Sequence, residues 1–207
     1  MIAEFPVKTG DGIERAAVCA FATVRDMDEI ERRGVQVKVS KSSETADALE
    51  FAALSTKRWR FYHEQGLTVG SIGALRRKVS AANNIELAFL CVARVPWTSP
   101  KMLGIALARR TWCGHLVLDF LATHPLRMVD GPERIKGIGT GLLFGISEVA
   151  LAIGAKVLWG EATRASAPKY QHIFGLEKVD DLLFVPRANL VGLSNVMRER
   201  LRKISLV

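Results

Sequence analysis

Residues 115–154 constrain the fold of this chain more than any other part of it. They begin with an apolar run, His115 to Thr123, that has few breakers and the length of a buried strand. Pro125 and the cluster Asp130-Gly131-Pro132 stop that run and force a loop. The segment Arg134-Ile-Lys-Gly-Ile-Gly-Thr-Gly141 follows. From Gly141 onward, Leu142, Leu143, Ile146, Val149, Ala150 and Ile153 recur at three- and four-residue intervals, which is one face of a helix. Gly154 stands where a left-handed C-terminal cap belongs. The stretch therefore reads as strand, glycine-rich turn, helix. Such a turn presents backbone N–H groups at the positive end of a helix dipole and so makes an anion site. Gly137, Gly139 and Gly141 lack the Cβ atoms that would hold a phosphate away from those amides.

Two common phosphate loops do not fit. A Walker A loop ends in Gly-Lys-Ser/Thr, whereas Leu142 and Leu143 follow Gly141. The dinucleotide fingerprint needs a glycine three residues after the second, and that position is Leu142. The pattern Arg/Gln-x-x-Gly-x-Gly/Ala does fit, as Arg134-Ile135-Lys136-Gly137-Ile138-Gly139. This resembles the acyl-CoA-binding segment of the GNAT family, the GCN5-related N-acetyltransferases. The downstream order supports the resemblance. Lys156 to Thr163 reads as a second strand, one helix-length on, as a β-α-β unit requires. Ser166 is a plausible N-cap for a short helix to Phe174, Gly175-Leu176 ends it, and Leu182 to Val185 forms a further strand. The likeness covers roughly residues 115–187.

The remainder is read by composition and pattern. The 207 residues, 49% hydrophobic with a mean hydropathy of +0.15, suffice for one ordinary core. No apolar run reaches membrane-spanning length, and the charged first twenty residues do not resemble a signal peptide. Cys19, Cys91 and Cys113 are odd in number and form no CxxC pair, so free thiols in a reducing compartment and no metal site are expected; a cytoplasmic location follows. Residues 13–33 read as a helix through Ile13, Ala17, Phe21, Val24 and Met27, making 1–34 a helical extension before a single domain over 35–207. Val35, Val37 and Val39 alternate as a strand, and a second helix is expected over 44–65. Leu87 to Ala93, Leu103 to Ala108 and 115–123 form an antiparallel meander, and 188–204 is a helix that docks on the sheet, the alternatives being a dimer contact or an RNA-facing surface. The resulting fold class is α/β (α+β), a GNAT-like mixed sheet of about six to seven strands flanked by helices.

The net charge of +8 favours an anionic partner, whether CoA phosphates or nucleic acid, and is equally common without one. Lys57-Arg-Trp-Arg-Phe-Tyr-His63 interleaves cations with rings, as a nucleic-acid surface would, although packing of an amphipathic helix explains it more simply.

The resemblance implies acyl transfer from acetyl-CoA or another acyl-CoA to the amine of a small-molecule or protein acceptor. It places the cofactor phosphates on the amides of Ile138, Gly139, Thr140 and Gly141, with Lys136 and Arg134 adding charge. It places the pantetheine arm and the thioester carbonyl on the backbone of Leu121, Ala122 and Thr123. Tyr170 is the candidate acid, although five residues separate it from Gly175 where four is common, and it could equally be core with Ile173 and Phe174. Thr163 stands where the family often has asparagine. Asp119 and Glu161, carboxylates within apolar strands, are the candidate bases, because burial raises a carboxylate pKa. Asp119 precedes Leu121 and Thr123 by even steps, which predicts a shared face. Two other readings remain open: a CoA- or anion-binding module without turnover, and an RNA- or ribosome-associated basic protein.

Overall fold

The computed structural model of the protein describes residues 1–36, 43–124 and 134–204, and its first elements are strands. β1 (Ala3–Thr9) and β2 (Glu14–Phe21) form an antiparallel hairpin with Phe5 opposite Ala17. Gly12, at φ 90°, makes the turn between them. The helix expected over 13–33 is thus corrected to a strand followed by α1 (Val24–Gln36). Ala17, Cys19 and Phe21 enter one core, while Ala20 and Ala22 pack into another, so burial on both faces erased the period-two alternation. The true helix start is a capping arrangement: Asp26 accepts hydrogen bonds from the amide and hydroxyl of Thr23 at 2.7 and 2.8 Å. Residues 1–34 are therefore no helical extension, since β1 and β2 belong to the main sheet. Of the strand expected at Val35, Val37 and Val39, Val35 lies in α1 and the rest falls on 37–42, outside the described residues.

The following elements are α2 (Ser43–Glu64), α3 (Ile72–Ala81), β3 (Leu87–Arg94), β4 (Met102–Arg110) and β5 (Leu116–Thr123). The expected antiparallel meander forms from β3, β4 and β5. The loop expected from Pro125 to Pro132 lies outside the described residues. Beyond it come β6 (Ile135–Lys136), α4 (Ile138–Ala152), β7 (Val157–Glu161), α5 (Ala167–Phe174), β8 (Leu182–Pro186) and α6 (Arg187–Ile204). Gly154 follows α4 at φ 72° as its left-handed residue. Among the described residues the strands form one mixed sheet, ordered β6-β1-β2-β3-β4-β5-β7-β8, with β5 and β7 parallel across α4.

Helices cover both faces. α3, α4, α5 and α6 bury Leu75, Leu142, Tyr170, Phe174 and Leu190 against one side of the sheet. α1 and α2 bury Met27, Ile30 and Trp59 against Leu90, Val92 and Leu107 on the other. Each such fully buried side chain contributes about 1.5–3 kcal/mol of apolar transfer free energy. α6 docks through Leu190, Leu193 and Met197, and part of its basic face is ion-paired, Arg198 to Glu148 at 2.5 Å and Arg200 to Glu14 at 2.7 Å. The sheet curls around α4. Pro6 and Val7 of β1 lie beside Gly137, while Leu121 and Thr123 of β5, four strands away, lie beside Gly139.

Candidate active site

β5 and β7 part company halfway along. Among the described residues, β7 pairs only with Leu116 to Leu118, whereas β4 pairs with β5 through to Thr123. Residues 119–123 therefore run along a gap in the sheet. The His124 amide donates to the Leu103 carbonyl at 2.8 Å. By the alternation of an antiparallel ladder, Phe120 and Ala122 also turn their amides and carbonyls toward β4, and Leu121 and Thr123 turn theirs toward the gap. The expected trio thus divides: Ala122 turns its backbone groups to β4 and packs into the α1–α2 core.

The N-terminus of α4 faces the same gap. Gly137, at φ 101°, is the helix N-cap, and a Cβ there would also press on the Pro6 carbonyl at 3.1 Å. The first intrahelical bond runs from the Gly141 amide to the Gly137 carbonyl at 2.8 Å, so the N–H groups of Ile138, Gly139 and Thr140 lie ahead of it. A Cβ on Gly139 would project across the cleft to 3.8 Å from Leu121 and Thr123, so this glycine leaves room for a ligand. Gly141 differs. Its amide is used within the helix, and a Cβ on it would come within 2.0 Å of the Phe5 ring. The expectation that Gly141 holds phosphate is corrected: it is a glycine because α4 packs directly on β1.

The gap opens into a cleft of about 640 Å³ that brings Leu121, Ala122, Thr123, Arg134, Lys136, Gly137, Ile138, Gly139, Thr140 and Tyr170 onto one surface. Lys169, His124 and His172 line it as well, and no Asp or Glu does among the described residues. The wall is cationic and rich in donors, as a polyphosphate requires. Lys8 adds to this charge. It stands directly opposite Lys136 in the β1–β6 pair and shares a neighbouring recess with Lys136 and Arg134. Like charges so placed repel one another; Asp11, which lines the same recess, offsets part of that charge, and a bound anion would relieve the repulsion further. Sequence reading missed Lys8 because its nearness to residue 136 is created by the sheet alone.

Tyr170 lines the cleft from α5 and is only 9% exposed. Burial raises its hydroxyl pKa, an effect partly opposed by a hydrogen bond with Ser166. Ser166 does not cap α5 through its side chain. Its Oγ accepts instead from the Thr163 amide at 2.9 Å and from the Thr163 hydroxyl at 3.1 Å.

The two candidate bases stand elsewhere. A bulge in β5, where Leu118 pairs with Ala108 but Phe120 with Leu107, leaves Asp119 as the extra residue. It sends Asp119 to the α2 side, away from Leu121 and Thr123, which corrects the predicted shared face. There Arg109 holds Asp119 with two hydrogen bonds, at 2.6 and 2.8 Å, and also reaches Glu86 at 2.9 Å. Tyr62 donates to Glu86 at 2.5 Å, completing a four-residue network. Glu161 is exposed at the end of β7, opposite Leu182, and the premise of burial does not hold for it. Neither carboxylate lines the cleft.

The basic and aromatic segment of α2 is mostly packing. Trp59 and Tyr62 are buried, His63 stacks on Trp59 at 4.6 Å, and Arg60 pairs with Asp28 and Glu31. Lys57, Arg58 and Phe61 remain on the surface.

The order strand, glycine turn, helix, parallel strand, short tyrosine-bearing helix, antiparallel strand, together with the gap beside β5, is an α/β arrangement of the kind the GNAT resemblance implies. No family model and no curated protein sequence matches the chain. Among solved structures it is similar to a nourseothricin acetyltransferase, at 21% identity over 43% of this chain and 48% of that one, with a TM-score of 0.34. The chain thus spans about half the length of that enzyme. It is also similar to the KacTA–DNA complex, at 16% identity over 87% and 99% of the two chains, with a TM-score of 0.47. A third similarity is to yncA from Salmonella typhimurium with its cofactor acetyl-CoA, at 17% identity over 84% and 95%, with a TM-score of 0.45. Among the described residues no helix is long and apolar enough to cross a membrane.

Proposed function

We propose that the protein is an acyl-CoA-dependent N-acyltransferase acting on an amine acceptor. The observation that carries this reading is the gap beside residues 119–123, into which an open strand edge, a helix N-terminus and a buried tyrosine all face. The residues present fit such a donor: among the described residues cations line the cleft without a carboxylate, and Gly139 keeps clear the space a side chain would fill.

When bound, an acyl-CoA supplies a thioester carbonyl to a neutral amine, the C–N bond forming as the C–S bond breaks and its electron pair leaves on sulfur. The amides of Ile138, Gly139 and Thr140 hold diphosphate, with Arg134, Lys136 and Lys8 supplying charge around it. Leu121 and Thr123 offer backbone groups to the pantetheine arm, and a donor aimed at developing negative charge there is worth about 3 kcal/mol. Tyr170, held protonated by burial, supplies the proton that sulfur takes up. The excess amine proton passes to water, since Asp119 is engaged by Arg109 and Glu161 lies outside the cleft. Release of free thiol from acetyl-CoA in the presence of a panel of amines tests the reading. Turnover that falls in Tyr170→Phe supports it; CoA binding with no turnover on any amine favours a binding module instead.

A further inference from the structure

Beside the cleft, on the α2 side of β5, lies a second and smaller cavity of about 50 Å³. Ile30 of α1, Ala52 of α2, Met102 and Ile105 of β4 and Ala122 of β5 form its walls, and Thr123 and His124 carry its polar side chains. It shares Ala122, Thr123 and His124 with the main cleft, so the two spaces meet at the end of β5. We propose that this cavity receives the hydrocarbon tail of the acyl donor, and that the protein transfers short-chain acyl groups longer than acetyl. The inference rests on the acyltransferase reading above and adds the class of acyl group to it.

Three features support the assignment. An acyl carbon tethered to a carbonyl at Leu121 is within a residue or two of the cavity mouth, whereas the acceptor enters from outside with a polar nitrogen. The walls are almost wholly apolar, which suits a hydrocarbon and offers a charged or hydrogen-bonding acceptor little. The size sets an upper limit as well: at about 10–15 Å³ for each water-sized occupant, 50 Å³ holds roughly three to five heavy atoms. A two-carbon acyl group leaves that space empty, and a chain of about five to seven carbons fills it.

Titration of the full chain with CoA, acetyl-CoA, butanoyl-CoA, hexanoyl-CoA and decanoyl-CoA by calorimetry tests the proposal. Affinity is expected to rise about threefold to fourfold per added methylene up to hexanoyl, as burial of apolar carbon dictates, and to stop rising by decanoyl. Ala52→Leu, which narrows the cavity without touching the main cleft, is expected to abolish that gain while leaving the affinity for CoA itself unchanged. Equal affinity across the series, with CoA still bound, overturns the chain-length inference and leaves the acyltransferase reading standing. Failure of every member to bind, CoA included, overturns both. A wild-type series that rises without limit also contradicts it, because the cavity is of about 50 Å³ only. If Ala52→Leu changes selection among apolar amines but not among acyl donors, the cavity belongs to the acceptor and the proposal is wrong.

Discussion

Arg109 grips Asp119 with both arms of its guanidinium, Nε to Oδ2 at 2.6 Å and Nη2 to Oδ1 at 2.8 Å, across the bulge that turns Asp119 away from the cleft. This fork, and the Asp119 side chain's exposure of only 9%, identify the carboxylate as a support for the strand rather than a reagent. Asp119→Asn leaves Arg109 half-satisfied in a partly buried place. It is expected to lower unfolding free energy by about 1–3 kcal/mol in a denaturant titration. The pH-rate profile should keep its shape. Loss of an acidic limb from that profile, with stability intact, would return Asp119 to the role of base.

Tyr170→Phe separates chemistry from packing. The phenyl ring fills the same space, so CoA affinity should hold within about twofold, while turnover falls about 100-fold, the range of a lost general acid. Because burial raises the Tyr170 pKa, no alkaline limb from this group is expected below about pH 10, the ordinary tyrosine value. The same shift has a sign in stability. A folded pKa above the unfolded one gives a contribution that is full at neutral pH and is lost as pH rises through the folded value. Above about pH 10, wild type should therefore lose stability faster than Tyr170→Phe, as thermal melts across pH will reveal.

Gly139 and Gly141 should respond to alanine in opposite ways. At Gly141 the new methyl would meet the Phe5 ring at 2.0 Å, an overpacking that costs about 1–3 kcal/mol or more, with a matching fall in melting temperature. At Gly139 nothing lies nearer than 3.8 Å, so the fold should tolerate alanine and even gain from its helix propensity. A larger side chain, as in Gly139→Val, would instead stand in the cleft and weaken CoA binding, by about tenfold or more if it displaces one amide–phosphate hydrogen bond. Equal loss of stability in both variants would contradict this division.

The three thiols should differ sharply. Cys19 and Cys91 are buried, and the hydrogen bond with Cys19, together with burial, pushes the Cys91 thiol up. Cys113 is exposed, and its hydrogen bond with Thr111, followed by that from His115, pulls its thiol pKa down. Mass spectrometry after brief iodoacetamide treatment of the native protein should find the label on Cys113, and on all three only after denaturation. Comparable native labelling of Cys19 or Cys91 would mean that the β2–β3 core opens readily.

The order of elements after residue 115 was readable because each carries a local signal: an apolar run, a breaker, a helical period, a glycine stop. The hairpin at the start was not, because helices on both sides of β2 removed the alternation that marks a half-exposed strand. The Thr23–Asp26 capping pair is a local signal in the sequence, and it marks the helix start that the apolar spacing over 13–33 hides. Asp119 shows the limit of period-two reasoning, since a single extra residue in β5 reverses which face it occupies, and only the pairing with β4 reveals that residue. Tyr170 lies in the cleft despite its one-residue departure from the usual spacing. Lys8 lay beyond sequence reasoning altogether, because the curl of the sheet brings it to Lys136.

Calorimetric titration of CoA into wild type and Gly139→Val at two salt concentrations decides whether the cationic cleft between β5 and β7 holds a CoA thioester. One site is expected, with affinity that weakens as salt rises and weaker binding in Gly139→Val with the fold intact. Absence of saturable CoA binding to wild type, or binding that Gly139→Val leaves untouched, would show that the cleft does not hold it.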